Sequence, residues 1–171
     1  MVRIARLICV LTAFCVVHPG MALAADAENR ADLAGFKGTR TISMGGASSR
    51  CIGRSHSPLC AAETFLACLL RSDEGLCRTV GVAPFGVKKV VKERYRFGSM
   101  RLLTRADADA SGGADWARPG NVDVVLQTSS CFADGRCAPY RRYALVLAPA
   151  AGGGWVAVSW SSEDDSEDFA E

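Results

Sequence analysis

Apolar residues recur at Leu59, Ala62, Phe65, Leu66, Leu69 and Leu70, the spacing that gathers side chains on one face of a helix. Ser57-Pro58 marks its start, because serine caps a helix and proline suits the first turn. Arg71-Ser72-Asp73 breaks the run, and a short second helix is expected from Glu74 to Val80, ending at Gly81. After Gly81 the period shortens to two. From Val87 to Thr104, Val91, Tyr95 and Phe97 fall on one side of an extended chain and Lys92, Arg94 and Arg96 on the other. That alternation predicts a half-exposed strand with a bend at Gly98-Ser99. A polar loop is expected over residues 106–120, which carry Gly112-Gly113 and Pro119-Gly120. Next, Val122, Val124 and Leu126 alternate with Asp123, Val125 and Gln127 in a strand from Val122 to Ser129. Further strands are expected from Tyr140 to Leu147 and, past the Gly152-Gly153-Gly154 turn, from Trp155 to Trp160. A helix followed by a meander predicts an α+β domain. Its expected form is an N-terminal helix packed on a curved antiparallel sheet of three to five strands, over residues 58–160. Burying about ten large side chains between the two would contribute roughly 1.5–3 kcal/mol each.

The flanks read differently. Arg3 and Arg6 precede an apolar run from Leu7 to Val17, then His18-Pro19-Gly20 and the small-x-small triplet Ala22-Leu23-Ala24. This order predicts a signal peptide over residues 1–24, with cleavage after Ala24. The run is too short for an integral membrane anchor, which takes roughly 20 residues. A lipid anchor is not expected either, since Phe14 stands before Cys15 where a lipoprotein signal needs a small residue. Residues 25–57, rich in Gly, Ser, Ala, Arg and Thr without a sustained period, are expected to be a flexible lead, tethered near its end if Cys51 is bridged. Residues 161–171 hold Glu163, Asp164, Asp165, Glu167, Asp168 and Glu171 and no base. They are expected to form an acidic, disordered, solvated tail.

Cysteine usage points to the same compartment, periplasmic or secreted. Of eight cysteines, Cys9 and Cys15 leave with the signal. The rest, Cys51, Cys60, Cys68, Cys77, Cys131 and Cys137, form an even set in a small exported domain, which reads as a disulfide framework. The spacings favour local pairing: Cys51 with Cys60, Cys68 with Cys77, Cys131 with Cys137. Between the last two, Asp134-Gly135 is a turn signal, so a bridged hairpin tip is expected there. Each short loop should gain roughly 2–3 kcal/mol. A zinc site would need close pairs such as Cys-x2-Cys; there are none, and no metal or other cofactor is expected.

Charge adds one feature. Removal of Arg3 and Arg6 takes the formal net charge of +2 to balance, yet the acids crowd the C-terminus and leave the body basic. Lys88, Lys89, Lys92, Arg94, Arg96, Arg101 and Arg105 make the densest basic stretch. It is either a solvated strand face or a surface for anionic lipid or an acidic envelope partner. Nucleic acid is not an expected partner of an exported chain without a binding motif.

The helix Ala61-Ala62-Glu63-Thr64-Phe65-Leu66-Ala67-Cys68-Leu69-Leu70, with Asp73 and Leu76 after it, resembles the opening helix of nuclear transport factor 2-like domains. Gly153-Gly154-Trp155-Val156-Ala157-Val158 is similar to the final strand of that superfamily. The resemblance covers about residues 58–160 and departs from the pattern in having one good helix rather than three and many cysteines. It implies a cone-shaped sheet around helices with a pocket between them, and no particular activity. The residues expected to line that pocket are Phe65, Tyr95, Asp123 and Tyr143. An isomerase or lyase in it would need a carboxylate base with polar donors, for which Asp123, Tyr95 and Tyr143 are the strand-borne set, although Asp123 alternates away from Val122 and Val124. No catalytic residue is assigned. His56 is the sole histidine after the signal, no Gly-x-Ser-x-Gly elbow occurs, and no Cys-x-x-Cys pair supports redox catalysis. The expected function is therefore non-catalytic binding of a small apolar ligand or an envelope partner, with a cone-fold enzyme or a structural accessory protein as alternatives.

Overall fold

The computed structural model describes residues 38–44, 49–84 and 90–164. The expected signal peptide, the first part of the expected lead, Lys88 and Lys89, and the end of the acidic tail lie outside the described residues. The chain runs β1 (Arg40–Ser43), α1 (Pro58–Arg71), α2 (Glu74–Thr79), β2 (Val90–Leu102), α3 (Arg105–Ala110), a single 3-10 turn (Asp115–Ala117), β3 (Val122–Phe132), β4 (Arg141–Pro149) and β5 (Trp155–Asp164). The five strands form one antiparallel sheet in chain order, and α1 crosses its inner face. This is an α+β domain. Among the described residues no helix is long and apolar enough to cross a membrane.

α1 begins as its sequence requires. Ser57 accepts from the Cys60 N–H at 3.3 Å, and Pro58 fills the first turn, where no N–H is needed. It stops at Ser72, whose N–H makes the last bond, to the Cys68 carbonyl, and whose left-handed φ of 49° then turns the chain away. Periodicity predicts one apolar face, but every residue from Pro58 to Leu70 is buried. The reason lies in residues 49–57, which pack against the other face. Thr64 Oγ1 accepts from the Gly53 N–H at 3.1 Å and lies 3.0 and 2.8 Å from the carbonyls of Cys51 and Arg54. The last nine residues of the expected lead are thus a fixed strap across the helix.

β1 lies in the same segment and pairs with β2, with Ile42 wholly buried beneath α1. In β2 a bulge between Val90 and Lys92 turns Val90 inward and leaves Val91 exposed, against the expected inward Val91. The expected bend at Gly98-Ser99 coincides with a second register shift between Phe97 and Ser99. The expected loop over 106–120 contains α3, which Thr104 and Asp107 cap reciprocally. β5 extends four residues past Trp160, and Ser161–Asp164 pair with Ala144–Arg141, so the acidic end starts inside the sheet. The core unites Leu59, Phe65, Leu66 and Leu70 of α1 with Val122, Val124, Leu126, Leu145 and Leu147.

All three locally spaced cysteine pairs are bridged: Cys51–Cys60, Cys68–Cys77 and Cys131–Cys137, with Cα separations of 4.5, 4.9 and 4.0 Å. Such bridges are compatible with an oxidising compartment.

Candidate functional site

Arg40 lies directly opposite Tyr95 in the β1–β2 ladder, so both side chains stand on the same side of the sheet. That side faces α1, which delivers Glu63. The Tyr95 hydroxyl donates to Glu63 Oε1, and Arg40 Nη1 lies 4.0 Å from the same oxygen. Ser49 Oγ donates to Oε2 at 2.6 Å and accepts from the Cys51 N–H at 2.9 Å. Glu63 is 0 % exposed. A buried carboxylate is tolerated where both oxygens accept hydrogen bonds and a cation lies close, and this cluster meets both conditions. Burial, then the hydrogen bond and charge of Glu63, push the Tyr95 phenol well above its ordinary 10.0, with Arg40 opposing.

A cleft of about 570 Å³ opens over this cluster, lined by Arg40, Thr41, Ser49, Arg50 and Cys51 and reaching Glu63 and Tyr95. Two arginines, Arg40 and Arg50, are among its lining residues, and Ser49 Oγ is turned to Glu63 at its floor. Such a wall suits a carboxylate or another oxyanion, which a guanidinium holds through paired hydrogen bonds. Glu63 acts as the internal counter-charge that positions Arg40 and Tyr95.

Among the described residues, a cavity between α1 and the sheet, where an apolar ligand was expected, measures about 30 Å³ and is lined by residues that include Leu66, Leu69, Thr128 and Tyr143. That is room for one or two waters, not for an apolar ligand.

Of the four residues expected to share a pocket, Phe65 and Tyr143 meet at one indole, while Tyr95 and Asp123 lie elsewhere. Phe65 lies in the core against Trp160, with ring centroids 5.9 Å apart. Tyr143 stacks on the same indole at 6.4 Å and borders the small cavity, and burial raises its phenol pKa. Tyr95 belongs to the Glu63 cluster. Asp123 is on the opposite face, 3.5 Å from Arg101, which also bonds Asp107 at 2.7 Å. The missed residues are Glu63, Arg40 and Ser49. Glu63 has a sequence signal: it is the sole charged residue from Pro58 to Leu70, with no partner three or four positions away. Arg40 and Ser49 have none, because the register of a four-residue strand brings in the first and the strap the second.

Lys92, Arg94 and Arg96 are exposed on the outer face. Arg96 bonds Gln127 at 2.5 Å and lies over the Tyr140 ring at 4.8 Å, while Arg101 and Arg105 are paired with acids. His56 is exposed, with Nε2 3.7 Å from Cys60 Sγ. Set against protein-family models, curated proteins and solved structures, the chain matches none of them.

Proposed function

We propose that this chain is an exported, disulfide-stapled recognition domain that catalyses no reaction and engages an acidic partner of the cell envelope. The binding place is the cleft over Glu63, and the partner's carboxylates sit against Arg40 and Arg50. The observation that carries this reading is the open cleft of about 570 Å³ with two arginines among its lining residues. The small cavity of about 30 Å³ among the described residues of the helix–sheet interface weighs against the apolar-ligand alternative, which needs an enclosed pocket of several hundred Å³ or more. Export rests on the N-terminal pattern and agrees with the three bridges. Kinship with nuclear transport factor 2-like domains is part of the proposal. A helix laid across an antiparallel meander supports it, and it carries no activity with it.

A lyase or isomerase reading has the Glu63–Tyr95 contact in its favour. It is the weaker one, because both Glu63 oxygens already accept hydrogen bonds and the side chain is 1 % exposed. A base has to reach the proton it removes.

The test starts with protein recovered from the periplasm or medium. Mass spectrometry should find an N-terminus at Ala25 and all six remaining cysteines oxidised; a retained leader or free thiols would remove the export reading. A glutamate-rich peptide should then bind, and Arg50→Glu should weaken it about tenfold, a change of roughly 1.4 kcal/mol. Equal binding by both proteins, or none by either, overturns the proposed site.

A further inference from the structure

Thiol–disulfide exchange depends on which sulfur can be attacked and on how well the other leaves as a thiolate. The three bridges differ sharply on both counts. Cys68 and Cys77 are each 0 % exposed, within α1 and α2, so neither sulfur is accessible. Cys137 is exposed, but attack there expels Cys131, which is 0 % exposed with its Sγ 3.9 Å from the Ser129 carbonyl oxygen. A thiolate facing a carbonyl in a buried position is disfavoured.

Cys51–Cys60 is arranged the other way. Cys51 is 8 % exposed and lines the cleft, so of the two bridges with no exposed sulfur this is the one that a nucleophile can approach. Cys60 is the third residue of α1, counted from the Ser57 cap, where the positive end of the helix stabilises an anionic sulfur. Independently, His56 Nε2 lies 3.7 Å from Cys60 Sγ, and an exposed imidazole can donate a proton or a hydrogen bond to the departing thiolate.

We propose that Cys51–Cys60 is a thiol–disulfide exchange site for a dithiol reductant, opened in preference to the other two bridges. The reductant's thiolate attacks Cys51 Sγ, and the S–S electron pair leaves on Cys60 Sγ, which takes up a proton with help from His56. The reductant's second thiolate then attacks its own sulfur in the mixed disulfide and expels the Cys51 thiolate, which is protonated in turn. The bridge gains two electrons and two protons, and the dithiol becomes a disulfide.

Opening this bridge acts on the cleft. Residues 49–57 carry Ser49 to Glu63, and the Cys51 carbonyl and Gly53 N–H to Thr64. The bridge is their covalent tie to α1, so its loss loosens the cover over Glu63. This inference does not depend on the acidic-partner reading and goes beyond it.

The test uses the oxidised full-length mature chain and limiting dithiothreitol, with alkylation at intervals and peptide mass mapping. Cys51 and Cys60 should be labelled before the other four. His56→Ala should slow their labelling roughly fivefold, as expected for a poorer leaving thiolate. Hydrogen exchange on the partly reduced protein should show lost protection at Gly53, with the sheet unchanged. Earlier labelling of Cys131 and Cys137, simultaneous opening of all three bridges, or an unchanged rate in His56→Ala would each overturn the proposal.

Discussion

Glu63 shows how one side chain organises its surroundings. It holds Tyr95, Ser49 and Arg40 from three separate stretches of chain, so the loss of any one donor is felt at the buried carboxylate. Tyr95→Phe removes the donor to Oε1 and should cost about 1–3 kcal/mol, the penalty for a buried polar group left short of a partner. Urea denaturation at neutral pH would measure it. The same pair sets an alkaline limit. The folded Tyr95 phenol titrates above its ordinary 10.0, from burial first and Glu63 second. The unfolded chain therefore gives up this proton before the folded one does, and stability from Tyr95 is complete below pH 10 and declines above it. Thermal melts across that range should show the decline in the native chain and a shallower one in Tyr95→Phe. Sequence alternation places Asp123 away from Val122 and Val124, and the structure puts it on the far face beside Arg101. Glu63 falls outside that logic, because a helical period marks which face is apolar and does not reveal that a strap covers the other.

At the scale of elements, what the sequence makes legible follows the length of its pattern. α1, with six apolar positions in step, and β3, with strict alternation, lie close to where periodicity places them. β1 has four residues, too few for a period of two to declare itself, and it forms because β2 offers a free edge. α3 has no apolar stripe. Its signal is the Thr104-x-x-Asp107 cap, in which Asp107 accepts from the Thr104 N–H and hydroxyl at 2.7 Å each. Those bonds, then Arg101, hold the Asp107 carboxyl at about 2 against an ordinary 3.8. A depressed folded value means that the contribution to folding is complete above pH 3.8 and is lost as the pH falls towards 2. Protection of the α3 amides, relative to the intrinsic exchange rate at each pH, should therefore fall across that interval. Asp107→Asn should exchange faster at neutral pH and lose the acid dependence.

Over the whole molecule, the strap of residues 49–57 ties distant parts together. It supplies Ser49 at the β1 side and, past the helix, Ser55 at β5, where the Trp155 N–H donates to the Ser55 carbonyl at 2.7 Å. Gly154 makes that approach possible. At φ +82° a side chain is already strained, and an added Cβ would lie 2.8 Å from the Ser55 carbonyl oxygen. Gly154→Ala should destabilise the fold by about 1–3 kcal/mol, read from the thermal midpoint, and loosen the strap at its β5 end. The Ala157 N–H donates in turn to the Val80 carbonyl at 2.9 Å, and at the opposite rim Arg71 Nε bonds the Ser43 carbonyl at 3.0 Å. Open sheet margins are where separate molecules zip together into fibres. Here the helix and its flanking segments occupy the Trp155 and Ala157 N–H groups at one margin and the Ser43 carbonyl at the other. The contacts that seat the helix therefore also shorten the stretch of edge on which a second molecule could template cross-β growth when the protein is concentrated.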